Sequence, residues 1–192
     1  PTEFVFGRGT EDQVGDLVKK YGGTKVLIHY GGGSVMRSGL YDKTVASLEK
    51  AGLRHLSLGG AKPNPVDALV YTGIELCRKE NVDFVLGIGG GSAIDSAKAI
   101  AAGVPYEGDF WDFFSNKAKP GTVLPHGCII TLPATGTEGS DSAVITRESD
   151  MLKRGMSAEC NRPLFAIMNP ELTFTLPPYQ SACGVADMMS HI

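Results

Sequence analysis

A chain of 192 residues, 42% hydrophobic and 20% charged, can bury one sizeable core and has the balance of a folded rather than a disordered protein. Its net charge of -3 and the absence of any Lys/Arg-rich run exclude a basic nucleic-acid footprint. No apolar stretch approaches the roughly 18 residues of a membrane span, and no charged-then-apolar leader opens the chain.

Residues 25–30, rich in branched apolar side chains, read as a strand; residues 38–51 show Leu40, Val45 and Leu48 on one helix face. A short strand at 55–58 follows. Asn64 and Pro65 then read as N-cap and first helical residue of a helix reaching about Glu80. Residues 83–88 form the most strand-like run, leading into Gly89-Gly90-Gly91-Ser92 and a helix over 93–102. This β-α-β-α-β-α order predicts a Rossmann-like α/β fold, a parallel sheet with helices on both faces. Residues 103–125 read as a surface excursion, 128–132, 142–146 and 165–168 as further strands, and 179–192 as a last helix after Pro177-Pro178. That helix ends uncapped, so the native protein is expected to continue. The four cysteines, Cys77, Cys128, Cys160 and Cys183, form no C-x-x-C pair and read as buried free thiols of a reducing, cytoplasmic setting.

Parallel sheets bind ligands at the carboxyl ends of their strands, and both glycine clusters, 31–33 and 89–91, fall there. At Gly89-Gly90-Gly91-Ser92 the glycines let the backbone approach a ligand, and the following helix offers amides and a dipole to an anion. Ile94 stands where G-x-G-x-x-G needs its third glycine, and no P-loop is present. Gly31-Gly32-Gly33-Ser34 is followed by Arg37, with no acid between Lys25 and Leu40 to accept from a ribose 2′-hydroxyl; this favours NADP over NAD. Thr131, Thr135, Thr137 and Ser140 concentrate hydroxyls after a strand, as a nicotinamide or phosphate site would, although such turns also arise for local reasons. Asp187 and His191, four apart on the last helix, share a face and suit a divalent metal, but two ligands do not close a site. His29, His55 and His126 read as structural, and no nucleophile elbow supports a hydrolase.

Residues 89–98 (GGGSAIDSAK), 133–140 (PATGTEGS) and 184–191 (GVADMMSH), with Tyr30-Gly-Gly-Gly-Ser34 and Pro63-Asn64-Pro65, resemble the iron-containing alcohol dehydrogenase family. They are most similar to its NADPH-dependent aldehyde reductase and butanol dehydrogenase branch. The resemblance implies an α/β nucleotide-binding domain over 1–178, like the N-terminal domain of dehydroquinate synthase. Residues 179–192 would begin an all-helical domain that is otherwise missing. It implies that Gly31, Gly32 and Ser34 hold the adenosine end, Gly90, Gly91, Ser92 and Asp95 the pyrophosphate and ribose, and Thr131, Thr135, Thr137 and Ser140 the nicotinamide half. Lys153 would contact the cofactor, and Asp187 and His191 would bind Fe2+ or Zn2+. The implied protein is a homodimeric, metal-dependent oxidoreductase interconverting aldehydes and primary alcohols with NADP, or with NAD. The chain alone is expected to be inactive. A dehydroquinate synthase-like lyase would want an acidic ribose-binding residue and several cations for its substrate; neither is apparent. A cofactor-binding module without catalysis is the other alternative.

Overall fold

The computed structural model describes residues 1–190. Its strands and helices, in chain order, are β1 (Glu3–Phe6), α1 (Val14–Lys20), β2 (Lys25–Tyr30), α2 (Ser34–Arg37), α3 (Leu40–Lys50), β3 (Arg54–Leu58), α4 (Asp67–Glu80), β4 (Phe84–Gly89), α5 (Gly91–Gly103), α6 (Trp111–Phe114), β5 (His126–Ile130), β6 (Ser142–Arg147), β7 (Leu152–Ser157), β8 (Phe165–Met168) and α7 (Pro178–Ser190). Six strands form one sheet in the order β1-β8-β5-β4-β2-β3, and every pairing in it is parallel. The expected α/β fold is therefore present.

Alternation along the central strands sorts the core into two layers. Val26, Ile28, Phe84, Leu86 and Ile88 face Val14, Leu17, Leu40 and Leu48 of α1 and α3. Leu27 and Val85 face the other way, toward Val70, Ile74, Ala97 and Ile100 of α4 and α5. Helix α5 is buried almost all round because its side chains are small: Ala93, Ala97, Ala99, Ala101 and Ala102 let it lie close between the sheet and α4.

Several expectations need correction. The helix read from Asn64 starts at Asp67 instead. Val66 is extended and bridges Thr146, the Pro65 carbonyl accepts from the Thr146 amide at 2.8 Å, and Asn64 takes a positive φ of 55°. Tertiary pairing thus overrides the proline signal. The segment read as a surface excursion buries Phe110, Trp111, Phe113 and Phe114 against the α4–α5 layer. Arg147 lies over the Trp111 ring at 4.8 Å. Residues 142–146 do form a strand, but it pairs antiparallel with β7 in a separate two-stranded sheet. Strand β7 was not foreseen, because its sequence LKRGMS exposes most of its side chains. Nor was β1, a four-residue edge strand that leaves Phe4 57% and Phe6 71% exposed. Of the cysteines, Cys77 and Cys128 are buried, but Cys160 and Cys183 are exposed.

Candidate cofactor-binding site

The chain runs from β2 outward to β3, then back across β2 to β4, and onward to β5. Strands β2 and β4 are therefore neighbours whose following helices lie on opposite faces of the sheet. Such a reversal opens a crevice at the carboxyl ends of the two strands. Tyr30 pairs with Ile88, which brings Gly31 and Gly89 to the same edge of the sheet. The two Gly-Gly-Gly-Ser turns flank this crevice.

In the second turn the glycines are constrained to different degrees. Gly89 has a φ of +150°, and a Cβ there would stand 2.8 Å from Ala93 Cβ. A Cβ on Gly90 would meet Leu132 at 3.2 Å, and one on Gly91 would meet Thr135 Oγ1 at 2.7 Å. The Gly90 carbonyl accepts from the Ala93 and Ile94 amides, so Gly91 and Ser92 precede the first helical bonds. Ser92 and its three glycines are half-buried at the mouth of the crevice. A thirteen-residue helix with this open first turn is chemically suited to an anion.

The segment after β5 closes over that turn. The Thr131 amide donates to the Gly89 carbonyl at 2.9 Å, continuing the strand pairing, and Thr135 is exposed beside Gly91. Thr137 is buried, and its hydroxyl donates to Asp95 Oδ1 while accepting from Lys98 Nζ. Asp95 Oδ2 accepts from the Val144 amide at 2.9 Å. Burial raises the Asp95 carboxyl above the ordinary range, against the lowering effect of those hydrogen bonds and of Lys98. Ser140 Oγ accepts from the Ser142 amide at 3.1 Å. Thr137 and Asp95 are thus engaged with each other, while Thr131 and Thr135 lie nearer the glycine turn. Lys98, which had no role assigned from the sequence, joins these groups. Its place three residues after Asp95 on a helix was the available signal.

The first turn is built differently. Gly32 and Gly33 are exposed, and a Cβ on Gly32 would meet nothing within 4 Å. One on Gly33 would meet only the Arg37 guanidinium, at 2.9 Å. Gly31 is held by its carbonyl, which accepts from the Gly60 amide. Ser34, exposed, opens α2 with no side-chain cap bond. Lys153, on β7, donates to Asn64 Oδ1 at 2.7 Å.

The histidines read as structural are held within the fold. His29 is fully buried; its Nδ1 must donate to the Leu58 carbonyl at 2.8 Å, which leaves Nε2 to accept from Ser96 at 2.9 Å. Burial lowers its pKa to about 4, so it is neutral. His126 is buried between the Leu124 and Asn161 carbonyls, and His55 pairs with Glu49 at 3.4 Å. Asp187 is half-buried on α7. Three residues earlier Gly184 lies against Pro133, whose carbonyl would be 3.3 Å from its Cβ, so this face of α7 borders the 131–140 segment. Among the described residues no three or more His, Cys, Asp or Glu side chains cluster as a metal site, and His191 lies outside the described residues.

Strand order, switch point and glycine turns define a Rossmann-like α/β domain. The chain belongs to the iron-containing alcohol dehydrogenase family, whose family model matches residues 1–170. It is 48% identical over 191 residues to NADH-dependent butanol dehydrogenase A of Clostridium acetobutylicum, covering 100% of this chain and 49% of that protein. It is 37% identical to the NADPH-dependent aldehyde reductase YqhD of Escherichia coli, again covering 100% of this chain and 49% of the relative. The crystal structure of NADH-dependent butanol dehydrogenase A from Thermotoga maritima superposes with a TM-score of 0.97 at 46% identity, covering 100% of this chain and 48% of that one. The chain spans about half the length of the curated relatives it matches.

Proposed function

We propose that this chain is the cofactor-holding part of a metal-dependent oxidoreductase that interconverts aldehydes and primary alcohols by hydride transfer, with NADPH preferred over NADH. The observation that carries the reading is the pair of Gly-Gly-Gly-Ser turns flanking the switch-point crevice between β2 and β4. Gly90, Gly91 and Ser92 bind the pyrophosphate through backbone amides at the start of α5. Thr131 and Thr135 border the nicotinamide side, with Thr137, Ser140 and Asp95 shaping the wall behind them. Gly31, Gly32 and Ser34 receive the adenosine ribose.

The preference for NADPH rests on charge. Neither residues 25–41 nor residues 54–66 contain an acid, and the next one, Asp67, accepts from the Glu148 amide at 3.1 Å. A 2′-phosphate therefore meets Ser34 and Arg37 rather than a carboxylate. The names of the relatives include both NADH, among those at 44–48% identity, and NADPH, at 37%, so support for the preference comes from the residues of this chain alone.

Asp187 and His191 are the proposed metal ligands. A carboxylate–imidazole pair four residues apart is a donor set for Fe2+ or Zn2+, and Asp187 shares the face of α7 that borders the 131–140 segment. When bound, the nicotinamide supplies the hydride and the metal supplies Lewis acidity at the substrate oxygen. The chain's own residues orient the cofactor and screen the reacting centre from water.

The test is a titration of the chain with NADPH and NADH, followed by nicotinamide fluorescence. NADPH should bind at least tenfold more tightly. Equal or reversed affinities would remove the charge argument, and failure of both to bind would remove the cofactor site. For the metal, Asp187→Ala in the metal-loaded holoenzyme should lose bound metal and aldehyde reduction together. Unchanged metal content would count against the ligand assignment.

A further inference from the structure

Lysine is rarely fully buried, yet Lys98 has no exposed surface. Its three N–H groups serve four acceptors, one bond being shared: the Thr137 carbonyl at 2.6 Å, the Ser140 carbonyl at 2.8 Å, the Ser142 carbonyl at 2.9 Å and the Thr137 hydroxyl at 3.1 Å. Three backbone carbonyls, two from the turn after β5 and one from the first residue of β6, thus converge on a single ammonium. Asp95, one helical turn earlier, takes the Thr137 hydroxyl and the Val144 amide from the same segment. All the anchoring atoms come from α5, whose first residues form the glycine turn.

We propose that Lys98 is a positioning residue: its buried ammonium, caged by the Thr137, Ser140 and Ser142 carbonyls, fixes the turn that faces the nicotinamide half of the cofactor. The inference rests on the cofactor reading above. One helix then sets both halves of the reactive end, the phosphates through its N-terminus and the nicotinamide wall through Lys98. An apolar side chain would fill the same space without desolvating a charge, as the alanines around it do. What it would not do is hold three carbonyl oxygens pointing inward. Left without a donor, those carbonyls would turn away, and the turn with them. Burial pushes the Lys98 ammonium down to about 8, against the raising effect of Asp95 on α5, Cys128 on β5, Glu138 and Asp141, so the cation still predominates at neutral pH; Glu138 Oε2 is buried without a hydrogen-bond partner.

The experiment uses ligands that differ only in the nicotinamide: NADPH against 2′-phospho-ADP-ribose, and NADH against ADP-ribose. Binding to the full chain is measured by calorimetry for the wild type, Lys98→Met and Lys98→Arg, with a thermal melt of each. Lys98→Met should weaken NADPH and NADH at least tenfold while changing the two nicotinamide-free ligands less than twofold, and Lys98→Arg should recover part of the loss. Equal weakening of both ligand types would show Lys98 as general scaffolding and overturn the proposal, as would no weakening of either. Should Lys98→Met not fold, Thr137→Val, which removes one hydroxyl from the same network, must show the same selective loss in smaller degree; its absence overturns the proposal. A wild-type chain that binds none of the four ligands would defeat the cofactor reading itself, a failure visible before any variant is made.

Discussion

The tetrapeptide Gly-Gly-Gly-Ser occurs at 31–34 and again at 89–92, at the ends of neighbouring parallel strands, in opposite physical circumstances. At 89–92 the protein itself constrains the glycines: Gly89 has a positive φ and would bring a Cβ to 2.8 Å from Ala93, while the Leu132 and Thr135 side chains border Gly90 and Gly91. At 31–34 nothing in the protein occupies the space a Cβ on Gly32 would take, and only the mobile end of Arg37 approaches Gly33. Folding explains Gly89, and a Cβ on Gly31 would also meet the Ala61 carbonyl at 3.3 Å, whereas Gly32 leaves its space open. An identical sequence thus sits in packed surroundings at one strand end and in open ones, centred on Gly32, at the other.

The largest expected effect tests the link between the two turns. His29, two residues before the first turn, accepts from Ser96, four residues after the second. Its folded pKa of about 4 lies below the ordinary value for an unfolded histidine. Between those values the unfolded chain binds the extra proton, so stability rises with pH there. The stabilisation is complete above about pH 6.5 and is lost as pH falls toward 4. At about 1.4 kcal/mol per unit, the loss is roughly 3 kcal/mol. Urea melts between pH 7.5 and 4.5 should show this slope flattened in His29→Asn, whatever that variant's stability at neutral pH. An unaltered slope would mean that His29 does not need to be neutral in the fold.

Next comes a matched pair of substitutions. Gly89→Ala combines an unfavourable φ with a 2.8 Å approach to Ala93, and should cost roughly 1–3 kcal/mol in a denaturant melt. Gly32→Ala should leave stability within about 0.5 kcal/mol. Its effect belongs to binding: a methyl group where the cofactor approaches should weaken NADPH several-fold. If Gly32→Ala destabilised the chain as much as Gly89→Ala, or left NADPH binding untouched, the contrast between the turns would fail.

What could be read from the sequence follows the same division. The central strands and α5 were legible because apolar residues run through 84–88 and small ones recur along 93–102. The placement of both glycine turns at strand ends followed from those runs. The β6–β7 hairpin and the start of α4 were not legible, since the Val66–Thr146 bridge and the pairing of LKRGMS depend on partners distant in the chain. The aromatic run at 110–114 looked like surface because its turns and prolines outweighed its ring content, yet those rings fill the layer beside α4. In the site, the motif positions were visible, but the Lys98 cage was not. A lysine near the end of a glycine motif gives no sign that three carbonyls will converge on it.

The smallest effect bears on the open turn. The Arg37 side chain is exposed, and its guanidinium lies over Gly33, where a Cβ would come within 2.9 Å of it. An exposed charge on a flexible stem gives up little when it pairs with a phosphate and gains little, because water and salt screen the attraction; such a pair is worth about 1 kcal/mol or less. Arg37→Ala should therefore weaken NADPH binding by up to about fivefold, given that 1.4 kcal/mol is tenfold. NADH, which lacks the 2′-phosphate, should bind the variant as it binds the wild type. The difference between the two cofactors should shrink as salt is raised from about 50 to about 500 mM, whereas the contribution proposed for the amides at Gly90 to Ser92, inside the crevice, should change less. If NADH weakened as much as NADPH, Arg37 would be acting on the turn and not on the phosphate, and the open first turn would have to be counted, like the second, as scaffold.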